Sequence, residues 1–406
     1  MRSSETTRTI PIPFRHASAS FSPPTPLPSA PTRFASLDGI RAVAIAIVIV
    51  NHAAMAGRFS PAVTSVLQSP LIGLQGLGVT TFFVVSGFLI TSILLRELDR
   101  TGTIDLPRFL LRRSLRIFPA YFTYVAAVAA LGWLGLPQAG GRSFAHALTF
   151  TMNYAGPHGA WALGHLWSMA SQEQFYLLWP IVFICAGRRG ASRLALGTAT
   201  LTPLLYVVYV TVWPATFAAR TTPFAFDTIA IGCLLALHRD RLGHLPWFNA
   251  LVDAPISAPL VFALGLLGGM IGTRPGLLTH PLLAIAIALL VERSVRRPWS
   301  GLGPLLNSRP LAYLGAASFS LYLWQQIFLR PETAVIAPFD VLAAIAVGLA
   351  SYHAIERPSS ALWPKLERWL ADRKAAQRQP TPSIRGVSRW RATVPMPPRR
   401  RTAEQT

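Results

Sequence analysis

Apolar runs set off by short polar breaks dominate the chain from residue 37 to residue 355. Ten runs stand out, at 37–57, 77–95, 117–136, 165–186, 194–213, 222–238, 256–273, 276–292, 311–329 and 338–355. A helix rises 1.5 Å per residue, so about 20 apolar residues cross the ~30 Å of hydrocarbon in a bilayer. One further apolar segment, 143–156, is too short to cross and is interrupted by Gly156-Pro157. It reads as a re-entrant or interfacial piece. The pattern predicts an all-α polytopic membrane protein with about ten transmembrane helices.

Arginine placement orients these spans. With the N-terminus inside, the internal loops hold Arg96, Arg100, Arg108, Arg112, Arg113 and Arg116, then Arg188, Arg189 and Arg193. Further along they hold Arg239 and Arg241, then Arg293, Arg296, Arg297 and Arg309, and at the end Arg357. The external loops have only Arg58, Arg142, Arg220, Arg274 and Arg330. Lysine and arginine collect on the cytoplasmic side of membrane proteins, so both termini are expected in the cytoplasm. An eleventh span would invert every basic loop after it. The expected location is the inner (cytoplasmic) membrane.

Composition agrees with the pattern. Apolar residues make up 52% of the chain and charged residues 13%, and the formal net charge is +21. Basic loops beside anionic lipid account for that charge, so no nucleic-acid partner is expected. Residues 1–35 are rich in Pro, Ser, Thr and Arg and read as a disordered basic tail without the pattern of a cleaved signal. The segment after about Lys365 reads likewise, giving a membrane domain over 36–360 and a basic cytoplasmic tail over 361–406. Cys185 and Cys233 lie in apolar runs and read as small hydrophobes, and no metal-ligand spacing occurs.

Chemistry enters where the apolar pattern is broken. The run LDGIRAVAIAIVIVNHAAMAG carries Asp38 and Arg41 at one end and His52 deep inside. Eleven residues are about three turns plus 20°, so Arg41 and His52 share a helix face, ~16 Å apart along the axis. Ionisable groups in a membrane helix face a bundle interior or a polar cavity. Gly78, Ser86 and Gly87 suit close helix packing. RFLLRRSLRIFP, from Arg108 to Pro119, reads as a short amphipathic helix at the cytosolic mouth of span three. Its Arg112, Arg113 and Arg116 crowd one side, and guanidinium forks suit phosphate oxygens. Glu173 lies about eight residues, ~12 Å, into span four. His165, at the outer end of that span, reads as interfacial, and Glu356-Arg357 as a helix-end pair.

Six stretches in order are similar to those of the acyltransferase-3 family of bacterial integral-membrane O-acyltransferases. They are LDGIRAVAIAIVIVNH, GVTTFFVVSGFLIT, RFLLRRSLRIFPAY, HLWSMASQEQFYLLWP, SFSLYLWQQ and SYHAIERP, over residues 37–358. The resemblance implies a ten-helix bundle that takes an acyl group, commonly acetyl from acetyl-CoA, at the cytosolic face. The resemblance also implies delivery of that group to a hydroxyl of a glycan, glycolipid or other small acceptor, and no metal is expected. Arg41 and His52 match the family's arginine–histidine signature, Arg113 and Arg116 its Arg-x-x-Arg, and Glu173 the second acid of its paired glutamates. Two positions depart from the pattern: Gln172 stands for the first acid, and Gln325 for a histidine after Leu-Tyr-Leu-Trp. The extracytoplasmic hydrolase-like domain common in the family is not seen in this sequence, so transfer is expected to be completed alone or with a separate partner.

On this reading His52 is the acyl-transfer residue, either as a base or as a nucleophile through an acyl-imidazole. An unperturbed imidazole, pKa about 6.5, is mostly neutral at working pH. Glu173 is expected to orient or proton-couple the imidazole, Arg113 and Arg116 to hold CoA phosphates, and Arg41 to bind CoA or stabilise charge on the thioester oxygen. Asp38 pairs with Arg41. The rival is a proton-coupled transporter or flippase, which also buries His, Glu and Arg. Residues 37–186 and 194–355 show no repeated halves of the sort such carriers often have.

Overall fold

A computed structural model describes residues 34–67, 74–136, 139–156, 160–212, 222–270, 276–336 and 338–378. Most of the expected N-terminal tail, the C-terminal arginines from Arg389 onward, and Arg220 and Arg274 lie outside them. The described residues are helical and contain no strand. Helix α1 spans Ala35–Met55, followed by a short α2, Pro61–Leu67. Next come α3, Leu74–Thr101, and α4, Leu106–Trp133.

Asp105 starts α4 by accepting the Arg108 backbone N–H at 3.1 Å, with Pro107 in the first turn where its missing N–H costs nothing. The helix runs unbroken through Pro119. The basic stretch expected as a separate amphipathic helix is therefore the first turns of the third span itself. The expected re-entrant piece contains α5, Gly141–Leu148, and a single 3-10 turn, Met152–Tyr154. Between them Phe150 takes a left-handed φ of 52°. Its ring stacks on Tyr121 at 4.6 Å and its carbonyl accepts from Gln174 Nε2 at 2.8 Å, contacts that offset the strain of that conformation.

A single turn, α6 (Trp161–Gly164), leads into α7, Leu166–Val212. A straight helix of 47 residues would reach ~70 Å, more than twice the hydrocarbon thickness. Gly187 breaks it with φ 62° and ψ −172°, a conformation that only glycine takes without strain. The break falls between the fourth and fifth expected spans, beside Arg188 and Arg189. After it come α8 (Thr222–Gly243), α9 (Pro246–Asp253), α10 (Ser257–Met270) and α11 (Gly276–Arg296). The last group is α12 (Gly303–Leu306), α13 (Arg309–Phe328) and α14 (Phe339–Ser351). A π-helical turn, Tyr352–Glu356, carries α14 into α15, Arg357–Ala361.

Among the described residues five stretches are long and apolar enough to cross a bilayer: Ser36–Met55, Gly76–Thr101, Leu106–Trp133, Trp161–Val208 and Phe339–Leu370. Apolar surface suited to lipid lies on α7, where Leu177, Leu178, Ile184, Leu201, Leu204 and Val208 are about half exposed. The basic segment after 361 differs from the coil expected of it. Residues Trp363–Arg378 form α16, held by the buried Trp363 and by an ion pair from Glu367 to Arg108 of α4.

Helix α1 packs against α3 and α13, and α3 against α8. Glycines permit the closest approaches. A Cβ on Gly315 of α13 would lie 1.7 Å from the Asp38 carbonyl oxygen. At the crossing of α3 and α8, a Cβ on Gly87 would meet Ile229 O at 2.1 Å, and one on Gly232 would meet Val84 O at the same distance. Small residues let backbones touch where apolar burial gives no advantage over lipid. Gly87→Leu or Gly232→Leu should therefore destabilise the bundle by about 1–3 kcal/mol or more, because a backbone carbonyl cannot step aside. Gly197→Ala, at a helix position with nothing within 4 Å of the new Cβ, should be neutral or stabilise by about 0.5–1 kcal/mol. Thermal unfolding of the purified proteins in detergent checks both signs.

Candidate functional site

Two of the polar groups inside this bundle lie at the two ends of the shared face of α1. At the first, Arg41 Nη1 lies 3.5 Å from Asp38 Oδ1, one helical turn away. Arg41 is also within electrostatic reach of Arg116, Glu356 and Tyr176. Helix α4 brings Arg113, whose guanidinium sits 4.9 Å from the centre of the Tyr176 ring and 5.9 Å from that of Phe109. Arg113 in turn is within reach of Glu173 and Arg116. Tyr176 OH donates to Ser86 Oγ at 3.1 Å, so the small residue of α3 supplies an acceptor as well as space.

Glu356 completes this group. Read from sequence it is a helix-end partner of Arg357; in the fold it is 3% exposed and accepts from Ser320 Oγ of α13 at 2.7 Å. It lies in the field of Arg116 and Arg41. The π-helical turn puts it there: one extra residue in the turn rotates the chain relative to an ordinary helix. The pairing of a lone acid with an apolar last span was the available signal, since an ionisable group there needs a partner.

The second group surrounds His52, half-buried on α1. Its Nδ1 is 3.0 Å from Oε1 and 2.7 Å from Nε2 of Gln325, a side chain with no exposed surface on α13. Trp161 meets the imidazole edge to face at 6.3 Å and spends its own N–H on Leu329 O at 2.8 Å. His165 is close enough to feel the charge of His52. The structure corrects its expected interfacial place: it is 4% exposed, with Nε2 3.2 Å from Leu323 O and its ring against Tyr124 and Tyr322. A carbonyl can only accept, so Nε2 carries the hydrogen and Nδ1 the lone pair. That Nδ1 is buried without a hydrogen-bond partner among the described residues.

The five residues singled out from sequence thus divide. Arg41, Arg113, Arg116 and Glu173 belong to the first group, and His52 to the second, ~16 Å along α1 from Arg41. Glu173, on α7 eight residues after His165, is within reach of Arg113 and Tyr121, and its Oε1 has no hydrogen-bond partner among the described residues. The residue on His52 Nδ1 is Gln325, which the sequence marks only as a departure from the family pattern.

Farther along from His52, Arg58 makes a buried hub. It pairs with Asp340 at 2.5 Å and donates to Arg330 O and Thr333 Oγ1, each at 2.5 Å, and to Ala56 O. This ties the end of α1 to the start of α14. Among the described residues no cluster of three or more His, Cys, Asp or Glu is arranged to hold a metal ion. The groups suited to an anionic ligand are the guanidiniums of the first group.

Comparison with known proteins shows what the chain is similar to. The chain is 27% identical over 368 residues to the O-acetyltransferase OatA of Staphylococcus aureus (strain NCTC 8325 / PS 47), covering 81% of this chain and 57% of that protein. It is 27% identical over 363 residues to the peptidoglycan O-acetyltransferase OatA of Listeria monocytogenes serovar 1/2a, covering 80% and 55%. The chain thus spans a little over half the length of these curated relatives. No solved structure matches it. Residues 34–352, from the start of α1 to the end of α14, match the family profile described as an acyltransferase domain, so the chain belongs to the acyltransferase-3 family.

Proposed function

We propose that the protein moves an acetyl group from acetyl-CoA, taken at the cytosolic face, to a hydroxyl of a cell-envelope glycan or glycolipid. The observation that carries this is the pairing on one helix of a basic, phosphate-suited end at Arg41 with an imidazole ~16 Å farther on. The names of the relatives support acetyl as the group transferred, and that of the Listeria protein supports a glycan acceptor. The distribution of arginines supports a multi-pass protein of the inner membrane with both termini in the cytoplasm.

Each residue then has a role. Arg113 and Arg116 hold CoA phosphates by charge-assisted hydrogen bonds, and Arg41 adds a third guanidinium. Glu173 and Glu356 keep these side chains aimed, since a long guanidinium without a carboxylate in a dry bundle would not stay in one place. His52 takes the proton of the acceptor hydroxyl, or attacks the thioester carbonyl first and is released by that hydroxyl. Along either route the thioester C–S bond breaks and a C–O bond to the acceptor forms. As a base, His52 passes the hydroxyl proton to the departing CoA sulfur. In the covalent route CoA leaves first as its thiolate, and the imidazole released in the second step takes the hydroxyl proton and later loses it to solvent.

Three measurements test the reading. Reporter fusions at Arg33 and Arg385 should both report cytoplasm, and a periplasmic signal from either would remove the ten-span arrangement and the orientation of the site with it. Changing Arg113 and Arg116 together to Gln should weaken acetyl-CoA binding about 10- to 150-fold for each charge-assisted hydrogen bond removed, at roughly 1.5–3 kcal/mol each. Unchanged affinity in the folded double variant would return these residues to anchoring on lipid head groups.

His52→Ala and His52→Gln should both abolish transfer while insertion and CoA binding persist. Loss of a general base costs roughly 10²–10⁴-fold, and loss of an obligatory nucleophile leaves almost nothing. The assay is transfer from labelled acetyl-CoA at matched membrane levels. Wild-type turnover by a folded His52→Gln protein would end the catalytic role and put a proton-coupled carrier ahead.

A further inference from the structure

We propose that Gln325 is the positioning residue of His52: its carbonyl accepts the Nδ1 hydrogen and so places the reactive lone pair on Nε2. The inference rests on the proposed function only in taking His52 as the reacting group. A neutral imidazole carries one N–H and one lone pair, and whichever nitrogen has a committed hydrogen-bond partner decides where each goes. Both polar atoms of the Gln325 amide are within hydrogen-bond distance of Nδ1, at 3.0 Å for Oε1 and 2.7 Å for Nε2. If the amide donated, Nδ1 would hold the lone pair and Nε2 would carry the hydrogen, leaving it unable to take a proton or attack a carbonyl. If the carbonyl accepts, Nε2 is the base, and the same hydrogen bond persists unchanged when Nε2 is protonated. Only the second arrangement serves a full catalytic cycle without the amide turning over.

The fold holds this contact from both sides. Helices α1 and α13 run in the same direction, Asp38 facing Gly315 near one end and His52 facing Gln325 near the other. The backbone approach at Gly315 fixes their register, so Gln325, without exposed surface, cannot slide away from the imidazole. The edge of Trp161 closes another side of the ring, itself fixed by Leu329 O.

An amide differs from a carboxylate in the same place. It orients the ring but adds no charge to favour the imidazolium. His52 therefore works without the electrostatic support an acid would give on Nδ1. His165, at the turn between α6 and α7, is a titratable side chain within reach of His52, while Gln325 and Trp161 are neutral.

Three variants and one spectrum test this. Gln325→Leu, in folded protein, should lower kcat about 10- to 100-fold, as when hydrogen-bond partners that orient metal-binding histidines are removed, with KM for acetyl-CoA little changed. Gln325→Glu should keep activity but move the acid limb of the pH–rate profile to higher pH, because a carboxylate on Nδ1 favours the imidazolium. The same limb measured in His165→Phe separates the titration of that neighbour. Independently of activity, 15N-histidine NMR of the protein in nanodiscs, with the His52 signal assigned by its loss in His52→Gln, should show Nδ1 protonated and Nε2 not.

Wild-type kcat in folded Gln325→Leu, an unmoved limb in Gln325→Glu, or an unprotonated Nδ1 would each overturn the proposal. If Gln325→Leu fails to insert, the Glu variant and the wild-type spectrum still decide. An absence of any transfer by the wild-type protein would count against the proposed function instead, and the spectrum would judge Gln325 alone.

Discussion

A guanidinium cannot stand by itself in the apolar interior of a bundle, and Arg41 is the point from which the rest of the site is organised. Removing such a charge from water costs several kcal/mol unless partners repay it. Asp38, one turn earlier on the same helix, supplies the nearest carboxylate at 3.5 Å. That contact is long for an ion pair, and Glu356 adds a second negative group from the far end of the sequence. Glu356 reaches the bundle only because a π-helical turn joins α14 to α15, and it is held there by Ser320. Helix α13 therefore serves α1 twice, through Ser320 at the charged end and Gln325 at the imidazole.

The same constraint explains why the glycines matter. Polar groups on different helices must come within hydrogen-bond distance, about 3 Å, which leaves little room between backbones. Gly315 under Asp38 and Gly87 against Gly232 supply that closeness. Apolar burial could not replace them, because lipid is as apolar as the side chains it would displace.

Much of this was legible in the sequence, since helices in a bilayer follow local rules. Apolar runs, the arginine bias and the shared face of Arg41 and His52 need only the helical period and the cost of buried charge. What was not legible depends on contacts between distant segments. Gln325 is 273 residues from His52, and no periodicity connects them. Glu356 read as a terminal ion pair because the sequence does not announce a π-helical turn. His165 read as interfacial from its position at the end of a run, whereas Tyr124 and Tyr322 close over it. The basic stretch from Arg108 read as a short amphipathic helix at the mouth of span three, yet α4 runs through it and Pro119 without a break.

Satisfaction of hydrogen bonds separates the buried ions that hold the bundle together from those that face its chemistry. Glu292, without exposed surface, has Arg239 and Arg296 on its carboxylate, and Arg293 donates to three carbonyls at the end of α9. Arg58 spends its donors on Asp340, Thr333 and two backbone oxygens. Groups so fully paired have nothing left to offer a ligand, and breaking them would mainly cost stability. Glu173 and His165 differ: each keeps one buried polar atom without a hydrogen-bond partner among the described residues. An unpaired buried atom costs about 1–3 kcal/mol, which a structure built only for stability would have little reason to keep. One atom lies on α7 beside the arginine group, and the other lies at the turn just before α7, beside His52. Each end of the site thus has one such atom next to it, besides those of Asn51, Ser318, Trp324, Gln326, Arg330 and Ser351 in the bundle.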